Sequence, residues 1–540
     1  MKRFSVTIAL IVALLLPAST AVPQVTGAAG DKLGQVKFQT SCTPEAQAHF
    51  TRGVAMLHSF WLDAAIKEFE EAGRLDNTCG IAGWGVAMAW MGNPLAAPPS
   101  ARGLKEGAFA IEKAKTIGSR TQREREWVAA IEHIYKDADK VDHRTRAVAY
   151  EKAMEQLSAR YPDDREAAVF YALALNMTLN PNDKTYANQL KAAAILEKVY
   201  AEQPQHPGVA HYLIHSYDFP PIAHKGLTAA KRYASIAPAA PHAQHMPSHI
   251  FTRVGLWQES IDSNRASARA AQEALRDNTI GLRSYETLHA YDYMMYAFMQ
   301  LAKDREAKAL MDEVLATRKL NVDHFAGAFA LAAIPARYTL ERGRWAEAAE
   351  LSLTPRDLAW DKFPQAESIT WFARGIGAAR SGNVADARTS LARIEALRDT
   401  LTAAKNTYWA AQSEIQRLAV AGWIARAESK NEEALALLRQ AADREDATEK
   451  HPVTPGALFP AREMLANMLL DLGQPGPALA EFERSQKSDP NRFRGLAGAA
   501  RATEVAGNRD KARDFYAKLI ALTATADTEW PEISQAKSFK

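Results

Sequence analysis

GVAMLHSFWLDAAIKEFEEAGRLDN, residues 53–77, is the stretch that decides the fold. Gly53, Ala65, Phe69, Ala72 and Asn77 stand at successive intervals of twelve, four, three and five residues. The apolar residues follow helical spacing on both sides of the short break at His58–Trp61. Two helices joined there pack closely only where small side chains meet, which is what Gly53, Ala65 and Ala72 supply. The same intervals return in ANMLLDLGQPGPALAEFERSQKSDP, residues 466–490, at Ala466, Ala478, Phe482, Ser485 and Pro490. Ala500, Ala512 and Tyr516 begin a further copy, and Ala478 and Ala512 lie 34 residues apart. A fixed period of that length is the mark of a repeat array.

Between these copies lie looser ones around Ala229–Pro241, Ser260, Ala307, Ala348, Ala387 and Ala434. Strand signals are almost absent. Ser381-Gly382-Asn383, Leu472-Gly473-Gln474 and Ala506-Gly507-Asn508 fall where the first helix of a copy turns into the second. The pattern resembles the tetratricopeptide (TPR) superfamily over most of the chain. That resemblance implies an all-α fold of helical-hairpin repeats wound into a right-handed superhelical solenoid. Its concave groove would be lined by the first helix of each repeat and would bind a protein, a peptide or another ligand. The expected division is a signal peptide at 1–21, an extension at 22–42, a first array at 43–320 and a second at 321–540.

Lys2 and Arg3 precede an apolar run from Phe4 to Leu16, and Ser19-Thr20-Ala21 supplies the small residues of a cleavage site after Ala21. This is the plan of a secretory signal, so a periplasmic or secreted location is expected. The run is short for a membrane anchor, and no other stretch is long and apolar enough to span. Cleavage takes the net charge from +3 to +1 by removing Lys2 and Arg3. So neutral a chain gives no electrostatic case for nucleic acid. The two cysteines, Cys42 and Cys79, bracket the first hairpin and are free to pair in an oxidising compartment. A disulfide there would stabilise by about 3–4 kcal/mol in the chain-entropy picture. Two buried free thiols are the alternative reading.

Seven of the fourteen histidines fall between His206 and His249. The runs are HYLIHSYD at 211–218, PHAQHMPSHIF at 241–251 and LHAYDYMMY at 288–296. His211 and His215 share a helical face, as do His245 and His249, and His289 and Asp292. In the repeat frame, the resemblance places His211 and Asp218 on the groove side of one helix. It places His242, His245 and His249 on the next, and His289, Asp292 and Tyr296 on a third. The matching positions further along are Ala330, Ala333 and Arg337, then Ile369, Phe372 and Ile376, so the polar patch is local.

Imidazole and carboxylate are ligands for Zn, Cu, Ni or Fe. The candidate ligands are His211, His215, His242, His245, His249, His289 and Asp292, with Met246 a soft donor for copper or else a core residue. Three helices span too far for one ion to touch them all. The expectation is either one site at the second and third rows or one ion with the outer residues around it, with His242, His245 and His249 as the leading ligands and His211, His215 or His289 completing the set. The alternatives are a metal-free scaffold whose histidines contact a peptide, a purely structural polar network, and a metal-dependent enzyme. Tyr212 stands where HExxH would need Glu. No nucleophile elbow, phosphate loop or haem motif occurs, so no catalytic residue is named. The HSFW turn at 58–61 reads as aromatic core, and Lys450-His451-Pro452-Val453-Thr454-Pro455-Gly456 reads as a connector. HYLIHSYD, HMPSHIF, HSFW and the cysteine pair also resemble a group of exported bacterial TPR proteins with no established activity.

Overall fold

The computed structural model describes residues 32–181, 183–275 and 279–539. The signal peptide expected at 1–21 lies outside them. Consecutive helices pack side by side, beginning with Pro44–His58 against Leu62–Leu75; the last hairpin is Phe493–Val505 with Arg509–Leu522, and Pro531–Ser538 follows it. The described strands are two residues each, Leu282–Arg283 beside Lys319–Leu320. The chain is an all-α array of TPR-like hairpins.

The first helix shows how locally the ends are set. Thr43 accepts the Ala46 N–H, Pro44 needs no partner for a missing donor, and Glu45 sits at the positive end. At Gly53 an added Cβ would stand 2.8 Å from Phe69 Cε1, so the small residue there is a packing requirement. Ala65, Ser260, Ala307, Ala348, Ala387, Ala434, Ala478 and Ala512 occupy the same repeat position and are each 0% exposed. Five residues before each of them stand Phe60, Gly255, Ala302, Gly343, Gly382, Ser429, Gly473 and Gly507. All eight have φ between 50° and 84°. One left-handed residue thus turns the chain in every one of these repeats, and most of them use Gly for it.

Phe60 is the exception that matters. A bulky residue at φ 50° is held against its backbone preference. Glycine and alanine both lack the ring and differ in tolerance of that φ. Phe60→Gly is therefore expected to be more stable than Phe60→Ala by about 1 kcal/mol in denaturant titrations. Equal midpoints would remove the strain argument.

Cys42 and Cys79 form a disulfide across the outer ends of the first hairpin. They are 37 residues apart, and a loop of that size is worth about 3–4 kcal/mol in the entropic account. Replacing both with Ala is expected to lower unfolding stability by about that amount, read in non-reducing denaturant melts. A loss below about 1 kcal/mol would mean the unfolded chain gains little from release.

The apolar core falls into clusters, one from Phe38 to Phe251 and the next from Trp257 to Ala502, with a C-terminal cap around Phe493, Tyr516 and Trp530. The histidine-bearing helices lie where the first two clusters meet. They are Pro207–Tyr217, Pro241–His245, Pro247–Arg253 and Tyr285–Gln300.

Candidate metal centre

Pro207 starts its helix, and His206 caps it by accepting the Val209 N–H on Nδ1. The next element is split: Pro241–His245 and Pro247–Arg253 are separate helical turns with Met246 between them. Pro247 has no N–H to continue the ladder, which accounts for the break. His245 and His249 nonetheless remain i, i+4 neighbours and face the same way.

Six of the expected ligands come together, in two sets rather than one. His211, His215 and His242 each offer an atom within 4.8 Å of the others, and so do His245, His249 and His289. The middle row is flanked on both sides. His242 turns toward the 207–217 helix, whereas His245 and His249 turn toward the 285–300 helix. His211 Nε2 lies 3.1 Å from His215 Nε2, and His245 Nε2 lies 3.1 Å from His249 Nε2. The Nε2 of His242 is buried with no hydrogen-bond partner.

The opposite ring nitrogens are pinned. His211 Nδ1 donates to the His58 carbonyl at 2.6 Å. His245 Nδ1 donates to Asn264 Oδ1 at 2.6 Å, and Asn264 Nδ2 is itself committed to the Ser260 carbonyl, which fixes the amide's orientation. His249 Nδ1 donates to Asp218 Oδ2 at 2.9 Å. With Nδ1 carrying the proton, each Nε2 presents a lone pair. Outer carbonyls and carboxylates that fix the tautomer this way are the usual setting of a metal-bound histidine.

Burial opposes protonation throughout. It lowers the pKa of His211, His215, His242 and His289, with neighbouring imidazoles adding to the effect. Burial, then His249, brings His245 down to about 3. His249 is lowered by burial against the opposing pull of Asp218. Burial also works against the charge on Asp218, yet Lys450 and Arg253 hold its carboxyl well below the ordinary range. Lys450 Nζ reaches Asp218 Oδ2 at 2.6 Å and Arg253 Nε reaches Oδ1 at 2.9 Å.

The remaining expected residues are placed elsewhere. Asp292 joins neither set: its Oδ1 takes Arg337 Nε at 2.9 Å. Met246 is wholly buried in the apolar core. Tyr296 is 1% exposed and accepts a hydrogen bond from Arg492. His211, His245 and His249 are at most 2% exposed, whereas His242 and His289 are only partly buried.

Two segments read as inert take part. The HSFW turn gives the His58 carbonyl to His211 and holds Tyr233 through Ser59 Oγ at 3.1 Å. Tyr233 in turn stacks on His211 at 5.3 Å. The Phe60 ring stacks on His242 at 5.5 Å and meets the edge of His211 at 4.5 Å. A signal for this was present, because Phe60 occupies the repeat position of Gly473 and Gly507. The 450–456 loop is a strap rather than a connector. Lys450 reaches Asp218, and His451 bonds the Ala96 carbonyl. Tyr293 donates its hydroxyl to the Thr454 or Pro452 carbonyl while lying 3.4 Å from His249 Nε2.

A third group, His58, Glu166 and His206, has the composition of a metal site and a different chemistry. His58 and His206 each meet one oxygen of Glu166 at 2.9 Å. Their other nitrogens meet the Tyr212 hydroxyl and the Val209 N–H. Every ring nitrogen is partnered, so this is a closed hydrogen-bond network.

Fold and site together define a TPR-like repeat protein with a buried polyhistidine centre. No family model matches the sequence, and no curated protein matches it. Among solved structures it is similar to human IFIT1, solved as a dimer with m7Gppp-AAAA. Identity there is 12% over 82% of this chain and 90% of that one, with TM-score 0.34. It is also similar to yeast Tom70, at 13% identity over 92% of this chain and 95% of that one, with TM-score 0.31. Superpositions this loose transfer no ligand or partner. No helix among the described residues is long and apolar enough to cross a membrane.

Proposed function

We propose that this is an exported repeat protein that binds a transition metal on its inner histidines, with a ligand entering the adjoining groove. The observation that carries the reading is the His245–His249 contact. Both Nδ1 protons are committed, to Asn264 and Asp218, so two lone pairs face each other 3.1 Å apart in a buried site. Without a proton between them such a contact is repulsive. Two imidazoles on one tetrahedral ion at about 2.05 Å stand about 3.3 Å apart, so a metal accounts for the geometry. Neutral nitrogen donors suit Zn, Cu, Ni or Fe rather than Mg or Ca.

A groove cavity of about 490 Å³ lies beside the centre, walled by Tyr408, Trp409, Phe372 and Glu445 and by the Arg253 and Lys450 that hold Asp218. A peptide or small organic ligand there would touch the groups that orient His249. The basic start, apolar run and small cleavage residues at 1–21 support export, and the disulfide suits an oxidising compartment.

Elemental analysis of protein purified without a histidine tag, followed by Zn²⁺ and Cu²⁺ titration, tests the reading. Retained or readily taken-up metal is expected, and protein that neither retains metal nor takes it up would overturn the reading. Asp218→Asn keeps the shape but weakens the hold on His249 Nδ1. It is expected to lower metal affinity by about 10–100-fold in competition with a chelator. Unchanged affinity would remove Asp218 from the centre.

A further inference from the structure

The two histidine sets have the same construction. An i, i+4 pair on one segment forms a clamp, His211 with His215 and His245 with His249. A single histidine from a neighbouring helix closes each clamp. His242 does so for the first, with its ring 5.0 Å from that of His211. His289 does so for the second, with its ring 4.3 Å from that of His245. The sets also abut, since the rings of His215 and His249 are 5.8 Å apart and those of His242 and His245 are 5.9 Å apart.

We infer that the centre is binuclear, with one ion on His211, His215 and His242 and a second beside it on His245, His249 and His289. The inference rests on the metal reading above and concerns how many ions it means. One ion cannot serve both sets. A single ion would have to take six imidazoles where a tetrahedral site takes four ligands, and the ligand atoms within 4.8 Å of one another fall into two groups of three. Each clamp alone already places its two nitrogens at the spacing one ion needs.

The donor sets also say what else must bind. Three neutral imidazoles leave each divalent ion its full charge and an open coordination position. Two such ions side by side in a mostly buried site repel strongly. Asp218 is the carboxylate that contacts the histidines directly, and Lys450 and Arg253 already neutralise it. The missing negative charge is therefore supplied by a small anion bridging the ions, hydroxide being the simplest. Nitrogen-only sets of this kind take copper or zinc in preference to Mg, Ca or Mn. The first ion would sit under Phe60 and Tyr233, and the second beside the Tyr293 hydroxyl. The two positions are thus covered differently, the second from the side of the 450–456 strap.

Stoichiometry decides the matter. Untagged full-length protein, stripped by chelator, is titrated with Co²⁺ and followed by visible absorption. Bound metal is then measured by elemental analysis after desalting. Two equivalents are expected for the unmodified chain. His242→Ala and His289→Ala each remove one ligand from a different set, and each should retain one equivalent with the other weakened more than tenfold. Circular dichroism checks the fold, and His242→Gln and His289→Gln replace any alanine variant that fails to fold. One equivalent in the unmodified chain, lost in both variants, would overturn the two-ion arrangement while leaving a single metal site standing. No uptake at all would remove the metal reading and this inference with it.

Discussion

Alanine at both His245 and His249 is expected to abolish the equivalent of metal held with His289 and to leave the helical content of the metal-free protein unchanged. The two rings supply the clamp whose nitrogens stand 3.1 Å apart. His289 alone is a single neutral donor, too little to retain an ion through desalting. The scaffold should survive, because the helices that carry these residues are packed by others. Ile250 and Ala243 are wholly buried beside them, and Trp257 and Ile261 anchor the following helix. Metal bound to the native state stabilises it by mass action, about 2.7 kcal/mol at a hundredfold excess over Kd. In the double variant the metal-dependent rise in melting temperature should shrink accordingly. Elemental analysis, circular dichroism and paired melts with and without Zn²⁺ give the three readouts. Metal content equal to the unmodified chain would sink the assignment of the clamp. Loss of helix in the metal-free double variant would show that the histidines are a structural network.

How much of this was written in the sequence follows from the range of the contacts involved. The hairpins were legible because their determinants are local and periodic. Ala65, Ala478 and Ala512 sit at fixed intervals from the aromatic each packs with, and the structure finds them fully buried. The histidine clamps were legible for the same reason, since i, i+4 spacing alone puts two rings on one face. Their division into two sets was not. It depends on which neighbouring helix each face of 241–253 meets, and periodicity is silent on that. Asp292 shows the failure plainly. It shares a face with His289, yet Arg337, 45 residues on, takes its carboxylate away. The strap at 450–456 spans still more of the chain, touching Ala96 and Asp218. Nothing in Lys450-His451-Pro452 distinguishes a connector from a strap until its distant partners are known. Phe60 was the missed opportunity. The glycines of later turns marked its position as left-handed, and a phenylalanine held there asks for a reason beyond packing.

Arg492→Met is expected to cost about 3–5 kcal/mol of unfolding free energy, the range for breaking one partner out of a buried ion network. Arg492 caps the Phe493–Val505 helix and is 0% exposed. Its guanidinium holds Glu341 at 2.6 Å, Glu463 at 2.8 Å and the Tyr296 hydroxyl at 2.7 Å. Glu341 and Glu463 are themselves at most 1% exposed, so methionine would strand the Glu463 carboxylate and leave Glu341 only its longer contact with Arg494, at 3.5 Å. A triple variant, Arg492→Met with Glu341→Leu and Glu463→Leu, removes the charges together and should recover most of the loss. A single-variant cost below about 1 kcal/mol, or a triple variant no better than the single, would contradict the argument. The network also bears on the metal centre. Tyr296 lies one turn beyond Tyr293 and two beyond His289 on the Tyr285–Gln300 helix. Arg492 therefore ties the helix that delivers His289 to the last repeats of the array. If that tie sets the position of His289, Arg492→Met should weaken the ion of the second set more than the ion of the first. A variant that loses stability but holds both ions as before would confine Arg492 to folding.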